Sequence, residues 1–181
     1  MNKLKVVFLD RDGVLNVKKD DYVKTVSELE LFPFILEPLK KLQNAGFKII
    51  IITNQSAINR GLTTHKEIQE IHSELKKFLK KDNISISGIY YCPHRPDENC
   101  TCRKPKPGLI HQAMNDFKID INQSWFIGDS ETDVEAGKSV GCKTLLISPK
   151  LNFEQSIEKS DIALSNNPVF GFLQVQFSSG L

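Results

Sequence analysis

Two carboxylates one residue apart, Asp10 and Asp12, close the apolar run Val6-Val7-Phe8-Leu9 in the segment Asp10-Arg11-Asp12-Gly13-Val14. The run has the apolar, β-branched content of a core strand in a parallel sheet. Both acids then fall at its carboxyl end, the edge where open α/β sheets bind ligands. Like charges held that close repel, which leaves two arrangements: one carboxyl keeps its proton, or a cation lies between them. The first suits a general acid and the second suits Mg2+. Phosphoryl transfer to an aspartate can use both.

Three more polar groups follow in chain order. Phe47–Ile52 reads as a second buried strand, ended by Thr53-Asn54-Gln55-Ser56. Lys104 lies beyond a third strand over Ile84–Tyr91, and Asp129 and Asp133 follow a fourth over Trp125–Ile127. Carboxyl ends of parallel strands share one edge, so these groups can converge. Asp10 can attack phosphorus to give an aspartyl phosphate. Asp12 can protonate the leaving alkoxide and later take a proton from water. The Thr53 hydroxyl and nearby N–H groups can hold phosphoryl oxygens, Lys104 adds positive charge, and Asp129 with Asp10 offers hard oxygen ligands to Mg2+. Catalysis of phosphate-monoester hydrolysis reaches enhancements of about 10^21-fold, so a nucleophile, an acid, a metal and a cation are all needed. Lys106, Arg103 and Arg95 compete with Lys104 as that cation. Asp133 is open between supporting the metal site and serving as a first-turn helix residue favoured by the macrodipole.

Cys92-Pro93-His94 and Cys100-Thr101-Cys102 form two ligand pairs around a short gap. Three thiolates and an imidazole make a closed, structural zinc set, although the pairs are spaced by one residue rather than by the wider gap of common zinc fingers. The alternative is a reduced, unliganded loop. Zinc would brace the loop of about residues 92–107 that presents Arg103 and Lys104, a proline-containing stretch with little apolar content. Cys142, before a strand, reads as an ordinary buried thiol.

The elements that must position these groups alternate in type. Ile35, Leu36, Leu39 and Leu42 mark a helix closing at Gly46, a natural C-terminal cap. Thr64-His65-Lys66-Glu67 is a capping box, and Ile68, Ile71, Leu75, Phe78 and Leu79 follow at helical spacing. Further helices are predicted over Gly108–Phe117 and Thr132–Val140, and a fifth strand over Lys143–Ile147. Beyond Pro149 the pattern weakens to a short strand at Ile162–Leu164 and a turn at Asn166–Pro168. Alternation of this kind predicts an α/β doubly wound parallel sheet. At 181 residues the chain suits a single domain over 1–181. The net charge of +2 gives no argument for nucleic acid or a membrane surface as partner. Neither a long apolar run nor a signal peptide is evident, so a cytoplasmic protein with reduced thiols is expected; a monomer is the expected state.

DRDGV, the strand ending TNQS, RKPKPG and GDSETD together resemble the four motifs of the haloacid dehalogenase superfamily of phosphatases. The resemblance implies Asp10 as nucleophile, Asp12 as acid/base, Thr53 and Lys104 as phosphoryl stabilisers, and Mg2+ bound by Asp10, Asp129 and a backbone carbonyl of Asp12. The zinc loop, with ligands Cys92, His94, Cys100 and Cys102, together with TNQS and Arg60-Gly61, is similar to the D-glycero-D-manno-heptose 1,7-bisphosphate phosphatases. Histidinol-phosphate phosphatases share that loop. The match departs from the heptose pattern at Asp21, where glycine is usual, at Ser130, where lysine is common, and in the short gap between the Cys/His pairs. Segments 16–30 and 53–64 are too short for a large cap, so specificity should rest on Arg11, Tyr22, Asn54, Gln55, Arg60 and Arg103, with Lys18 and Lys19 as either further ligands or plain surface lysines. Basic groups beyond the reacting phosphate suit a small sugar carrying a second one. Histidinol phosphate and a polynucleotide 3′-phosphate are the alternative substrates. A receiver-like domain and an inactive zinc-stabilised binding module are the alternatives of a different class.

Overall fold

The computed structural model describes residues 3–147; the strand and turn expected after Pro149 lie outside them. Five strands, β1 (Val6–Leu9), β2 (Lys48–Asn54), β3 (Ile86–Cys92), β4 (Trp125–Gly128) and β5 (Lys143–Leu146), form one sheet of order β3-β2-β1-β4-β5. Every pairing is parallel. Four helices connect them: α1 (Leu36–Asn44), α2 (His65–Lys81), α3 (Gly108–Asp116) and α4 (Glu131–Ser139). None of the described helices is long and apolar enough to cross a membrane.

Alternation along the strands divides the core in two. Val7, Leu9, Ile49, Ile51, Trp125 and Ile127 pack with Leu39 and Leu42 of α1 and Leu75 and Leu79 of α2. Val6, Phe8, Ile50, Ile52 and Phe126 pack on the other face with Leu109, Ile110 and Ala113 of α3 and Ala136 of α4. Burial on both faces explains the uninterrupted apolar runs. The strand order runs outward from β1 in both directions, so the switch point lies between β1 and β4.

Element ends moved for local reasons. β2 continues through Thr53 and Asn54, which pair in register with Tyr91 and Cys92, so Thr53 is a strand residue and not the start of a turn. The predicted capping box is present at α2, where Thr64 Oγ1 accepts from the Glu67 amide at 3.2 Å and Glu67 Oε2 accepts from the Thr64 amide at 2.8 Å. Helix α4 starts earlier than its hydrophobic pattern indicates because Ser130 caps it, with Asp133 Oδ2 accepting from the Ser130 amide at 3.1 Å.

Candidate active site

Leu9 pairs with Ile51 on one side and Ile127 on the other, so Asp10 leaves the sheet between the ends of β2 and β4. Two glycines let the chain crowd here. A side chain at Gly13 (φ +84°) would collide with the Asp129 carboxylate, and one at Gly128 would collide with Asp133. The result is a cavity of about 420 Å³ lined by Asp10, Asp12, Thr53, Lys104 and Asp129, among others.

Lys104 Nζ sits at its floor, 3.0 Å from Asp10 Oδ1, 2.6 Å from Asp133 Oδ1 and 2.9 Å from the Ile52 carbonyl. The lysine is 4% exposed. Burial alone would push its pKa down, but Asp10 and Asp133 reverse that and raise it, so the ammonium is fixed. Its backbone is clamped as well: Asn54 Oδ1 accepts from the Lys104 amide at 3.1 Å, and Asn54 Nδ2 donates to the Lys104 carbonyl at 3.2 Å. Asn54 therefore lines the cavity while holding the loop cation in place. Asp133 takes the first-turn helix role left open for it, as a capping residue, and is in addition the second counterion of Lys104.

The two motif aspartates occupy opposite electrostatic situations. Burial pushes Asp10 up to about 7; Lys104 pulls it down, while the charges of Asp133, Asp129 and Asp12 push it up. Burial also acts on Asp12, yet the Arg11 guanidinium and hydrogen bonds from Asn16 and Gln55 hold that carboxyl below the ordinary range. Arg11 Nη2 lies 2.9 Å from Asp12 Oδ2, Asn16 Nδ2 donates to Asp12 Oδ1 at 2.9 Å, and Gln55 Nε2 donates to Asp12 Oδ2 at 2.8 Å. Gln55 also donates to Thr53 Oγ1 at 2.9 Å.

The residues present fit a divalent cation. Asp10, Asp129 and Asp133 each offer an oxygen, all within 4.8 Å of one another. Asp129 Oδ1 is buried without a hydrogen-bond partner, and burial raises the Asp129 carboxyl despite Lys18, whose Nζ is 2.6 Å from Oδ2. A buried, under-satisfied carboxylate among others is a donor set for a hard cation such as Mg2+. Asp133 Oδ2 is already taken by Ser130, and its Oδ1 makes a close ion pair with Lys104, which leaves Asp10 and Asp129 as the freer carboxylates.

The cysteine loop gathers as its spacing predicts. Cys92, His94, Cys100 and Cys102 converge, with sulfur–sulfur separations of 3.2, 3.5 and 3.6 Å and His94 Nδ1 3.3 and 3.4 Å from Cys102 and Cys92 Sγ. Zn–S bonds of about 2.3 Å give tetrahedral edges of about 3.8 Å, so the four donors suit zinc. None of the cysteines is in a disulfide.

The expected specificity residues separate. Tyr22 and Arg103 line the cavity with Lys18 and Lys19. Arg60 is exposed and outside the lining. Arg11 and Gln55 require correction as substrate ligands: both are buried, at 0% and 1% exposure, and neither lines the cavity. Their polar ends face Asp12 because a buried guanidinium needs a counterion and Asp12 is the acid in reach. Two residues around Asp12 carry no signal in the motifs: Asn16, which donates to its carboxylate, and His72 of α2, whose Nε2 is 3.4 Å from Arg11 Nη1. The place of His72 among Ile68, Ile71 and Leu75 on the buried stripe was the available signal.

The family described as polynucleotide kinase 3 phosphatase matches residues 5–174. The chain is 44% identical over 148 residues to a D-glycero-beta-D-manno-heptose-1,7-bisphosphate 7-phosphatase of Helicobacter pylori, covering 81% of this chain and 85% of that one. It is 38% identical over 173 residues to the D-glycero-alpha-D-manno-heptose-1,7-bisphosphate 7-phosphatase of Photorhabdus laumondii, covering 92% and 93%. The crystal structure of a D,D-heptose 1,7-bisphosphate phosphatase from B. bronchiseptica, complexed with magnesium and phosphate, superposes with a TM-score of 0.79 at 27% identity, covering 97% of this chain and 99% of that one. The chain belongs to this family of haloacid dehalogenase-type phosphatases.

Proposed function

We propose that this family member removes the 7-phosphate of D-glycero-D-manno-heptose 1,7-bisphosphate, with Mg2+ in the carboxylate site and zinc in the cysteine loop. The observation that carries the proposal is the Asp10–Lys104 pair, 3.0 Å apart, at the floor of a cavity whose wall bears Lys18, Lys19 and Arg103. A nucleophile beside a fixed cation suits the reacting phosphoryl group, and the wall cations suit a second phosphate. The names of the relatives, which include both anomers, support the same substrate class.

In the proposed reaction an Asp10 oxygen attacks phosphorus. The bond from phosphorus to the sugar oxygen breaks, its electron pair stays on that oxygen, and Asp12 gives it a proton. Water then attacks the phosphoryl group, Asp12 takes the water's proton, and the bond to Asp10 breaks to release inorganic phosphate. Arg11 favours ionised Asp12 at rest; the negative charge of an arriving phosphoryl group opposes that pull and favours the proton needed for the first step. Lys104 and the Thr53 hydroxyl meet the phosphoryl oxygens. Mg2+, held by Asp10, Asp129 and the Asp12 carbonyl, would supply further charge stabilisation at those oxygens.

The test is inorganic phosphate release, with Mg2+ present, from both anomers of the heptose bisphosphate beside histidinol phosphate and a polynucleotide 3′-phosphate. The heptose bisphosphates should show the highest kcat/KM. Faster turnover of either other substrate would overturn the substrate assignment, and no hydrolysis of any phosphomonoester would overturn the chemistry.

A further inference from the structure

Arg11 stands between the two motif aspartates in the sequence, yet its side chain turns away from the cavity they line. The guanidinium is fully buried and makes a fan of contacts on one side. Nε donates to Asp12 Oδ1 at 3.2 Å, and Nη2 donates to both Asp12 oxygens at 3.0 and 2.9 Å. Nη2 also donates to Gln55 Oε1 at 3.0 Å, and Nη1 faces His72 Nε2 at 3.4 Å. Gln55 closes the circuit by donating to Asp12 Oδ2 and to Thr53 Oγ1.

A planar fork of this kind fixes the direction of a carboxylate and not only its charge. Behind the fork, His72 is buried on α2 with the Tyr91 ring at its edge, the centroids 5.5 Å apart. Burial and the Arg11 charge hold the imidazole at a pKa of about 3, so the ring is neutral; a guanidinium can only donate, so Nη1 selects the tautomer in which Nε2 accepts. We propose that Arg11 is a positioning residue that aims Asp12 at the leaving oxygen, braced by Gln55 and His72, and that it does not bind substrate.

This rests on the phosphatase reading, in which Asp12 protonates the leaving group. General acid catalysis contributes about 10²- to 10⁴-fold where the leaving group is a poor one. An alkoxide of a sugar needs that proton, whereas p-nitrophenolate leaves without it. The quantity kcat/KM reports events up to phosphoryl transfer to Asp10, so it isolates the acid step. Arg11→Lys keeps the charge and loses the fork. It should lower kcat/KM for the sugar phosphate by about 100-fold and for p-nitrophenyl phosphate by less than about threefold, with the sugar phosphate KM nearly unchanged.

A ligand of the transferring phosphate would weaken both substrates alike, and a ligand of the sugar or its second phosphate would raise KM; either result overturns the proposal. His72→Leu and His72→Gln give an independent arm, since only glutamine leaves an acceptor for Nη1. Leucine should show the same substrate-dependent loss, smaller in size, and glutamine should restore the parent ratio. Equal behaviour of the two variants removes His72 from the relay. Turnover of p-nitrophenyl phosphate by the parent protein keeps these outcomes apart from failure of the phosphatase reading itself.

Discussion

Among the described residues two clusters could hold a metal ion, and their surroundings differ in opposite ways. Around Asp10 and Asp129 the backbone comes from β1 and β4 in the middle of the sheet, with every strand residue buried. Organic cations already offset the crowded charge there: Lys104 against Asp10 and Asp133, Arg11 against Asp12, Lys18 against Asp129. The cysteine cluster hangs from the end of edge strand β3 on a loop whose regular structure is one short 3-10 turn, Pro96–Glu98. Its four donors face one another, and among the described residues no lysine or arginine side chain donates to its three sulfur atoms. Mg2+ should therefore complete chemistry on a frame that stands without it, whereas zinc should create the shape of the loop that carries Lys104.

The largest effect expected is on the carboxylate side. Asp10→Asn should lower turnover by at least about 10⁴-fold, as loss of a nucleophile does. Melting should stay within about 5 °C of the parent, because the frame is set by the sheet. Phosphate release and a thermal melt check this together; a collapsed melt would mean that the ion pair with Lys104 supports the frame.

On the other cluster the balance reverses. Cys102→Ser, or zinc removal by a chelator, should lower melting and misplace Lys104. Loss of a preorganised cation at the phosphoryl oxygens costs on the order of 10²- to 10³-fold in kcat. Removing Mg2+ alone should abolish turnover while protease sensitivity of the loop stays unchanged. Limited proteolysis across residues 95–106 separates the two cases, and equal sensitivity with and without zinc would break this contrast between the clusters.

Most of this arrangement was legible in the sequence because it is written in local patterns. Strand ends followed apolar runs, α2 followed a Thr64–Glu67 box, and the convergence of Cys92, His94, Cys100 and Cys102 followed their spacing. Asp10, Asp12, Thr53, Lys104 and Asp129 met because parallel strands share an edge. Side-chain direction was not legible. Arg11 sits in the motif between two site residues, and nothing in its neighbours says that it turns inward towards Asp12 and Gln55. Asn54 likewise reads as a ligand until its clamp on the Lys104 backbone is seen. His72 was hidden for the opposite reason, as a polar residue on a stripe read only for its apolar members.

His72 also makes the carboxylate side sensitive to acid in a way that can be isolated. Its folded pKa is about 3, below the unfolded value of about 6.5. Between those values the unfolded chain binds the proton and the folded chain does not, so stability is present above pH 6.5 and is lost as pH falls. The slope for one proton is about 1.4 kcal/mol per pH unit. Zinc loss in acid adds its own slope, so the measurement is the difference between parent and His72→Gln in denaturant unfolding from pH 7 to 5. The variant should lose less stability over that range; parallel curves would show that the imidazole takes its proton without unfolding.

The smallest effect probes whether Lys18 and the divalent ion serve the same oxygen. The lysine side chain is 59% exposed, yet its Nζ lies 2.6 Å from Asp129 Oδ2, next to the orphaned Oδ1. A cation approaching Asp129 must compete with that ammonium. The lysine end of the pair is solvated, although the Asp129 side chain is only 10% exposed; screening from the lysine side keeps the pair's strength near that of exposed ion pairs, at about 0.2–1 kcal/mol. Replacing Lys18 with methionine should then tighten Mg2+ binding, read by calorimetry, by about 1.5- to 5-fold. Weaker binding would show that Lys18 holds the carboxylate in its metal-ready orientation, and the tethered cation would then be a brace like zinc rather than a competitor. That one sign decides whether the frame on the carboxylate side is complete without the side chains that surround its metal.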